Sequence, residues 1–381
     1  MEYIIQIFAG GWHHQLYSEE EILEKLEHIT EQIQVKALII GWNLSSELYR
    51  HLGEYLKKKG IEMYLWLPVF SEIGELGDVD AVVDLYGDIA GKYELQEGES
   101  FEFFCPSSEK NTQLLLHIFE TYFADCGFDG VFLDKIRSQS FVVGATGVMS
   151  CCCERCQKIY RDHGLDLERF RESVDKKGLS RMLRPAAAST WETVSFEETE
   201  TEQFFKAKTQ VYYEGIKRTV QCFRERGYKI GMDTFSPMIS GLVGQDIRRL
   251  LGLADFIKPM IYRKTDAPAG IGFEYRMMEQ AVYDPESDED RRWDTPDMFS
   301  EAFMRQQLGV KDSDAQRRIY PGIEINYRED IARTDETYVK DSLRMVRNMG
   351  CGGAVLSWDV MLAPEEHIRC AADVQRRSRE E

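Results

Sequence analysis

Eight short apolar runs, most of them followed by a segment whose apolar residues recur at helical spacing, constrain this chain more than any other feature. They are Tyr3–Gly11, Val35–Asn43, Ile61–Phe70, Gly130–Arg137, Tyr228–Pro237, Ala254–Lys264, Arg318–Tyr327 and Cys351–Met361. Ile, Val, Leu and Tyr dominate them, and several are apolar almost without interruption, the pattern of parallel strands covered on both faces. Eight such strands with interleaved helices predict an α/β fold closed on itself, a (β/α)8 TIM barrel, rather than an open doubly wound sheet.

The intervening segments carry matching helix signals. Ser18-Glu19-Glu20-Glu21 reads as a capping box, and Ile22, Leu23, Leu26 and Ile29 then supply a buried stripe. Ser45 or Ser46 opens the next helix, whose apolar residues are Leu48, Leu52, Tyr55 and Leu56, and Gly60 stops it. Further amphipathic segments fall at 111–125, 201–226, 240–252, 335–349 and 364–376. Three connections are far longer than the usual few residues: 71–110 after strand three, 138–200 after strand four and 265–316 after strand six. All three would leave the carboxyl ends of strands, the face on which barrel enzymes build their sites. The organisation expected is a single barrel domain over residues 1–381 with three insertions on that face. The acidic runs Glu197–Glu200 and Asp284–Asp290 read as solvated surface.

Charge narrows the partners. With 47 Lys and Arg against 66 Asp and Glu, the net charge of −19 opposes attraction to nucleic acid or anionic lipid. No window approaches the roughly 18 apolar residues that would span a bilayer. The amino-terminal run lacks a basic start and a cleavage-like site, and nine cysteines, an odd number, fit a reducing compartment. The expectation is a cytoplasmic protein without nucleic-acid or membrane partners, its oligomeric state left open.

The strand ends share an unusual composition. Asp134 closes strand four, Asp233 strand five, Glu324 strand seven and Asp359 strand eight, while Trp12, Trp42, Trp66 and Trp358 lie beside them. A charge inside an apolar strand meets a large desolvation cost unless it points into a polar cavity, so the four acids are expected to surround the barrel mouth. Paired carboxyls in an aromatic cleft are what cleavage of a glycosidic bond requires: one donates a proton to the leaving oxygen, the other attacks or activates water. Sugar rings stack on Trp and Tyr, and their hydroxyls need polar partners. Each acid also has a bland reading as a helix cap or an ion-pair partner, and each Trp as a packing residue.

The string Cys126-Gly-Phe-Asp-Gly-Val-Phe-Leu-Asp134-Lys-Ile-Arg137 resembles the fourth-strand signature of an uncharacterised glycoside-hydrolase-like family of (β/α)8 barrels. Trp66-Leu-Pro-Val-Phe, Phe104-Cys-Pro-Ser-Ser, Lys258-Pro-Met-Ile-Tyr262, Pro321-Gly-Ile-Glu324 and Leu356-Ser-Trp-Asp359 extend the resemblance over the barrel strands. It implies a hydrolase using Asp134 with Glu324 or Asp233 as catalytic carboxyls and no catalytic cofactor. Trp12, His13, Trp42, Asn43, Trp66, Arg137, Lys258, Tyr262, Asn326, Trp358 and Asp359 are then expected to bind or tune a carbohydrate or glycoside substrate. Strand four ends in Asp where the retaining barrels have Glu, so retention and inversion stay open.

Two other readings stand beside this one. A metal-dependent amidohydrolase would use His13, His14, Lys135 and Asp359, but strands five and six offer Asp233 and Lys258 where that chemistry needs histidines. A barrel that binds carbohydrate without cleaving it is the other. Separately, Cys151-Cys-Cys-Glu-Arg-Cys156 puts Cys151, Cys153 and Cys156 at spacings suited to a structural zinc site, with Cys105 or His163 as fourth ligand; reduced buried thiols are the competing reading.

Overall fold

The computed structural model describes residues 1–71, 77–90, 102–186, 195–282 and 296–380. Eight parallel strands form one sheet: β1 Glu2–Phe8, β2 Val35–Gly41, β3 Glu62–Pro68, β4 Gly130–Asp134, β5 Lys229–Thr234, β6 Phe256–Pro259, β7 Gly322–Glu324 and β8 Gly353–Ser357. Their order is β6-β5-β4-β3-β2-β1-β8-β7. The remaining seam, β6 against β7, is joined by the parallel bridges Ile257 to Ile319 and Met260 to Gly322, which close the barrel. This is the (β/α)8 architecture that the eight runs predict. Among the described residues no helix is long and apolar enough to cross a membrane.

The alternation of each strand divides its side chains between two cores. Ile4, Ala37, Ile39, Tyr64, Phe132, Phe256, Tyr320 and Val355 pack together inside the barrel. Their neighbours, including Ile5, Leu38, Leu65, Leu133 and Ile323, face the surrounding helices. Space for the inner aromatics comes from glycine. Phe132 stacks on Phe256 with centroids 5.9 Å apart, and a Cβ on Gly231 would lie 2.5 Å from the Phe256 ring.

Helix boundaries follow the capping chemistry. The Ser18 capping box opens Glu19–Gln32; the Ser45 hydroxyl accepts from the Leu48 N–H at the start of Ser46–Lys59, and Gly60 ends that helix at φ 70°. The segment expected as one helix at 240–252 is instead Pro237–Ser240, a 3-10 turn Gly241–Val243 and Ile247–Leu250. Gly244 breaks it at φ 87°, where an added Cβ would strike the Tyr212 ring. All eight strands stop two to five residues before the apolar runs do. Gly10–Gly11 pairs with His14–Gln15 in a separate small hairpin, and Asn43, Arg137, Tyr262 and Asn326 lie on the connections beyond strand ends. Glu198 of the first acidic run pairs with Lys177 at 2.5 Å and Arg181 at 3.3 Å; the run 284–290 lies outside the described residues.

The inner plug gives a direct test. Gly231→Ala should destabilise the chain by about 1–3 kcal/mol in urea unfolding, because the aromatic stack leaves no room for a methyl group. Gly241→Ala, at helical φ with open space around it, should change stability by no more than about 0.5–1 kcal/mol.

Candidate active site

Above the aromatic plug the barrel interior turns polar. Gln6 on β1, Asp233 on β5 and Lys258 on β6 are all buried. The Lys258 ammonium donates to Asp233 Oδ2 at 2.9 Å and to Gln6 Oε1 at 2.8 Å, and lies 5.4 Å from the centre of the Tyr262 ring. Gly322 makes this arrangement possible, since a Cβ there would sit 2.6 Å from Lys258 Cε. Burial pushes Asp233 up to about 7; Lys258 opposes that shift, and the charge of Asp134 adds to it. Burial alone would lower Lys258, but the Asp233 charge reverses the sign and holds it above its ordinary value. Burial likewise pushes Tyr262 up to about 12.

Asp134, at the end of β4, stands apart from the other three acids. It is partly exposed, whereas Asp233, Glu324 and Asp359 are at most 2% exposed. One carboxylate oxygen accepts from the Trp66 indole N–H at 2.8 Å and the other from the Lys135 backbone N–H at 2.5 Å. Trp66 is the edge of an aromatic wall. Trp12 stacks on Trp42 at 5.7 Å and 5°, Trp42 meets Trp66 edge-on at 5.7 Å, and Phe8 touches both Trp42 and Trp66. The Lys135 ammonium lies 4.3 Å over Trp42. Arg137 is buried between Phe235 and Phe103, 4.2 and 4.9 Å from their ring centres. Burial holds it below its ordinary range, against the pull of Glu274, Asp134 and Asp233. Phe103 and Arg137 also line a small recess with Gln139, Ser140, Val142, Val143 and Pro268.

The other expected residues sit as follows. Glu324 Oε1 accepts from the Lys264 backbone N–H at 2.6 Å, Tyr338 and Arg263 lie close enough to favour its charged form, and burial outweighs them and raises its pKa. Its resolved interactions therefore join it to the β6 connection and the helix Glu336–Asn348, not to Asp134 or Asp233. Asp359 caps the short turn Val360–Leu362 and accepts from the Tyr17 hydroxyl at 2.9 Å, while burial pushes it up to about 6. Asn326 accepts from the Trp358 N–H at 3.0 Å. Asn43 donates to the Gly11 carbonyl at 3.2 Å, tying β2 to the small hairpin. His13 and His14 are exposed. Cys105, Cys151, Cys153 and Cys156 come together in the connections after β3 and β4, and they are the His, Cys, Asp and Glu set close enough to share an ion among the described residues.

Buried polar atoms around the mouth, among them Asp233 Oδ1, Gln6 Nε2, Trp42 Nε1, the Tyr262 hydroxyl, Glu324 Oε2 and Asn326 Nδ2, have no hydrogen-bond partner among the described residues. Native proteins rarely leave such groups unsatisfied except where a ligand or water meets them. Gln6 and Phe8 are not among the residues expected from sequence. The parity argument applied to the acids would have found Gln6, the one polar residue between Ile5 and Ile7 and two positions beyond the inward Ile4. The Lys135–Trp42 contact had no such signal, because both residues take left-handed backbone, φ 48° and 73°, after their strands.

The sequence matches no protein-family model and no curated protein. Solved structures do resemble the chain. The PgaB (BpsB) glycoside hydrolase domain from Bordetella bronchiseptica superposes with a TM-score of 0.61 and 13% identity over 98% of this chain and 99% of that one. The catalytic domain of a beta-amylase from Paenibacillus polymyxa gives 0.53 and 10% over 99% and 98%. This chain shares their fold. At these identities the likeness concerns the barrel and its end-to-end extent, not the residues at its mouth.

The shift of Asp359 has a measurable consequence. Its folded-state pKa of about 6 exceeds its ordinary 3.8, so the folded chain binds this proton more tightly than the unfolded one. The stability it contributes is full below about pH 4 and is lost as the pH rises through about 6. The stability difference between wild type and Asp359→Asn should therefore shrink from pH 4 to 6.5 and stay level from 7 to 9. Urea unfolding across that range checks it; a difference that does not vary with pH contradicts the shift.

Proposed function

We propose that the chain hydrolyses a glycosidic bond, with Asp134 as the carboxylate that meets the sugar. The observation that carries this reading is that Asp134 alone of the four barrel-end acids is reachable, and it lies hydrogen bonded to Trp66 at the edge of an aromatic wall. Its two oxygens accept from the Trp66 indole and Lys135 backbone N–H groups, which fix the carboxylate in place for attack at the anomeric carbon or for activation of water. Asp233 is the second carboxyl. With its pKa pushed up to about 7, Asp233 is present near neutrality both as the ion paired with Lys258 and as the protonated acid; donation to the leaving oxygen uses the second form, through the unpartnered Oδ1 at the floor of the mouth. Burial, Lys258 and the charge of Asp134 set that pKa. Trp12 and Trp66, both partly exposed, offer ring faces to the sugar, and the unpartnered polar atoms of Gln6, Trp42 and Asn326 suit sugar hydroxyls.

Glu324 takes a positioning role in this reading, because its hydrogen bond fixes the connection after β6, and Asp359 a capping role. The substrate is a carbohydrate or glycoside, and the reaction runs without a catalytic cofactor. The two proteins of like fold are a glycoside hydrolase domain and a beta-amylase catalytic domain, in keeping with this class of chemistry.

Reducing-end release from a panel of neutral and amino-sugar oligosaccharides tests the proposal. Wild type should cleave at least one of them, and Asp134→Asn should lower kcat by about 10²–10⁴-fold at an unchanged urea midpoint. Trp66→Phe, which removes one donor to Asp134, should cost about 10–100-fold. Activity should fall as the pH rises through about 7, where Asp233 loses its proton. Binding without cleavage, or an Asp134→Asn variant of normal activity, overturns the assignment and leaves a carbohydrate-binding barrel.

A further inference from the structure

Four of the nine cysteines converge at one point in the insertions. Cys105 ends the segment that follows β3, and Cys151, Cys153 and Cys156 belong to the connection after β4, where Cys153 precedes the helix Glu154–Asp162. Their sulfur atoms all lie within 4.8 Å of one another. Cys105 Sγ is 3.4 Å from Cys153 Sγ and 3.7 Å from Cys156 Sγ, and Cys153 Sγ is 3.7 Å from Cys156 Sγ. Cys105, Cys151 and Cys156 are at most 1% exposed. His163, the alternative fourth ligand, is exposed and hydrogen bonds to the Ile159 carbonyl.

These separations discriminate between the chemistries open to four thiols. A disulfide needs sulfurs about 2.05 Å apart. Four thiolates about 2.3 Å from a central Zn²⁺ span tetrahedral edges of about 3.8 Å. The observed values match the second geometry. Four thiols without an ion would bury four weak hydrogen-bonding groups against each other, a poor use of a closed site. The polar surroundings also fit thiolates: Ser107 Oγ lies 3.3 Å from Cys156 Sγ, and Arg155 stands on the same turn, paired with Asp80 at 2.9 Å.

We propose that Cys105, Cys151, Cys153 and Cys156 bind one Zn²⁺ as a closed, structural tetrathiolate site. Four protein ligands leave no open coordination position, so the ion takes no part in the barrel chemistry. It staples the connection after β3 to that after β4. The same two connections already meet through the Cys152 N–H, which donates to the Val83 carbonyl at 2.7 Å, and through the bridge between Asp84 and Ser150. Phe103, two residues before Cys105, packs on Arg137 beside the mouth, so the staple also fixes one wall of the cleft.

The test is the metal content of the full chain purified in reducing, zinc-supplemented buffer, and it is independent of any glycosidase assay. Elemental analysis should find one zinc per chain, retained through dialysis and released, with four thiols, by a mercurial. Cys156→Ser should lose the ion, while Cys222→Ser, on the helix Thr199–Glu225, should keep it. If Cys156→Ser does not fold, cobalt loading of the wild type decides: a tetrahedral tetrathiolate gives thiolate-to-cobalt charge transfer and intense ligand-field bands. Wild type without zinc after incubation with excess ion, iron in its place, or equal zinc in Cys156→Ser overturns the proposal.

Discussion

Charge inside a barrel survives only where it is paired and hydrogen bonded, and the Asp233–Lys258 pair is where this chain meets that condition. Both groups are at most 2% exposed, on adjacent strands, directly above a plug of aromatic rings. Gln6 from β1 completes the coordination of the ammonium, and Gly322 from β7 leaves room for its stem. Four strands thus share one arrangement, so that barrel closure and polar layer depend on each other. The consequence reaches the mouth. A carboxyl held near neutrality by burial sits within the field of a second carboxyl, Asp134, that is open to solvent.

Much of this was legible in the sequence, for physical reasons that can be named. Strands buried on both faces must be apolar throughout, so the eight runs announced a parallel sheet. The inward facing of Asp233 and Lys258 followed from desolvation cost and strand parity. Parity failed where strands ended early. Asn326 and Asp359 lie on connections, where side-chain direction is set by local hydrogen bonds such as that of Asn326 to the Trp358 N–H. Glu324 shows a different limit: its strand position was readable, but its bond to the Lys264 N–H depends on a connection whose path no sequence period describes.

The long connections give the carboxyl-terminal face its two features of interest. Aromatic residues near the ends of β1, β2 and β3 build a continuous wall from Trp12 through Trp42 to Trp66, with Phe8 against the last two, and the wall ends on Asp134. The connections after β3 and β4 meet at four sulfurs and carry Phe103 and Arg137 to the rim. Loops of this length cost considerable ordering entropy, and a tetrathiolate ion is one economical way to hold two of them in register.

The most direct measurement of the central claim is a crystal structure of Asp134→Asn soaked with an oligosaccharide that the wild type cleaves. The account places the scissile linkage beside residue 134, with a sugar ring on the face of Trp66 or Trp12 and hydroxyls on Gln6 or Asn326. A sugar seated elsewhere on the chain, with residue 134 out of reach of any glycosidic oxygen or anomeric carbon, would contradict it.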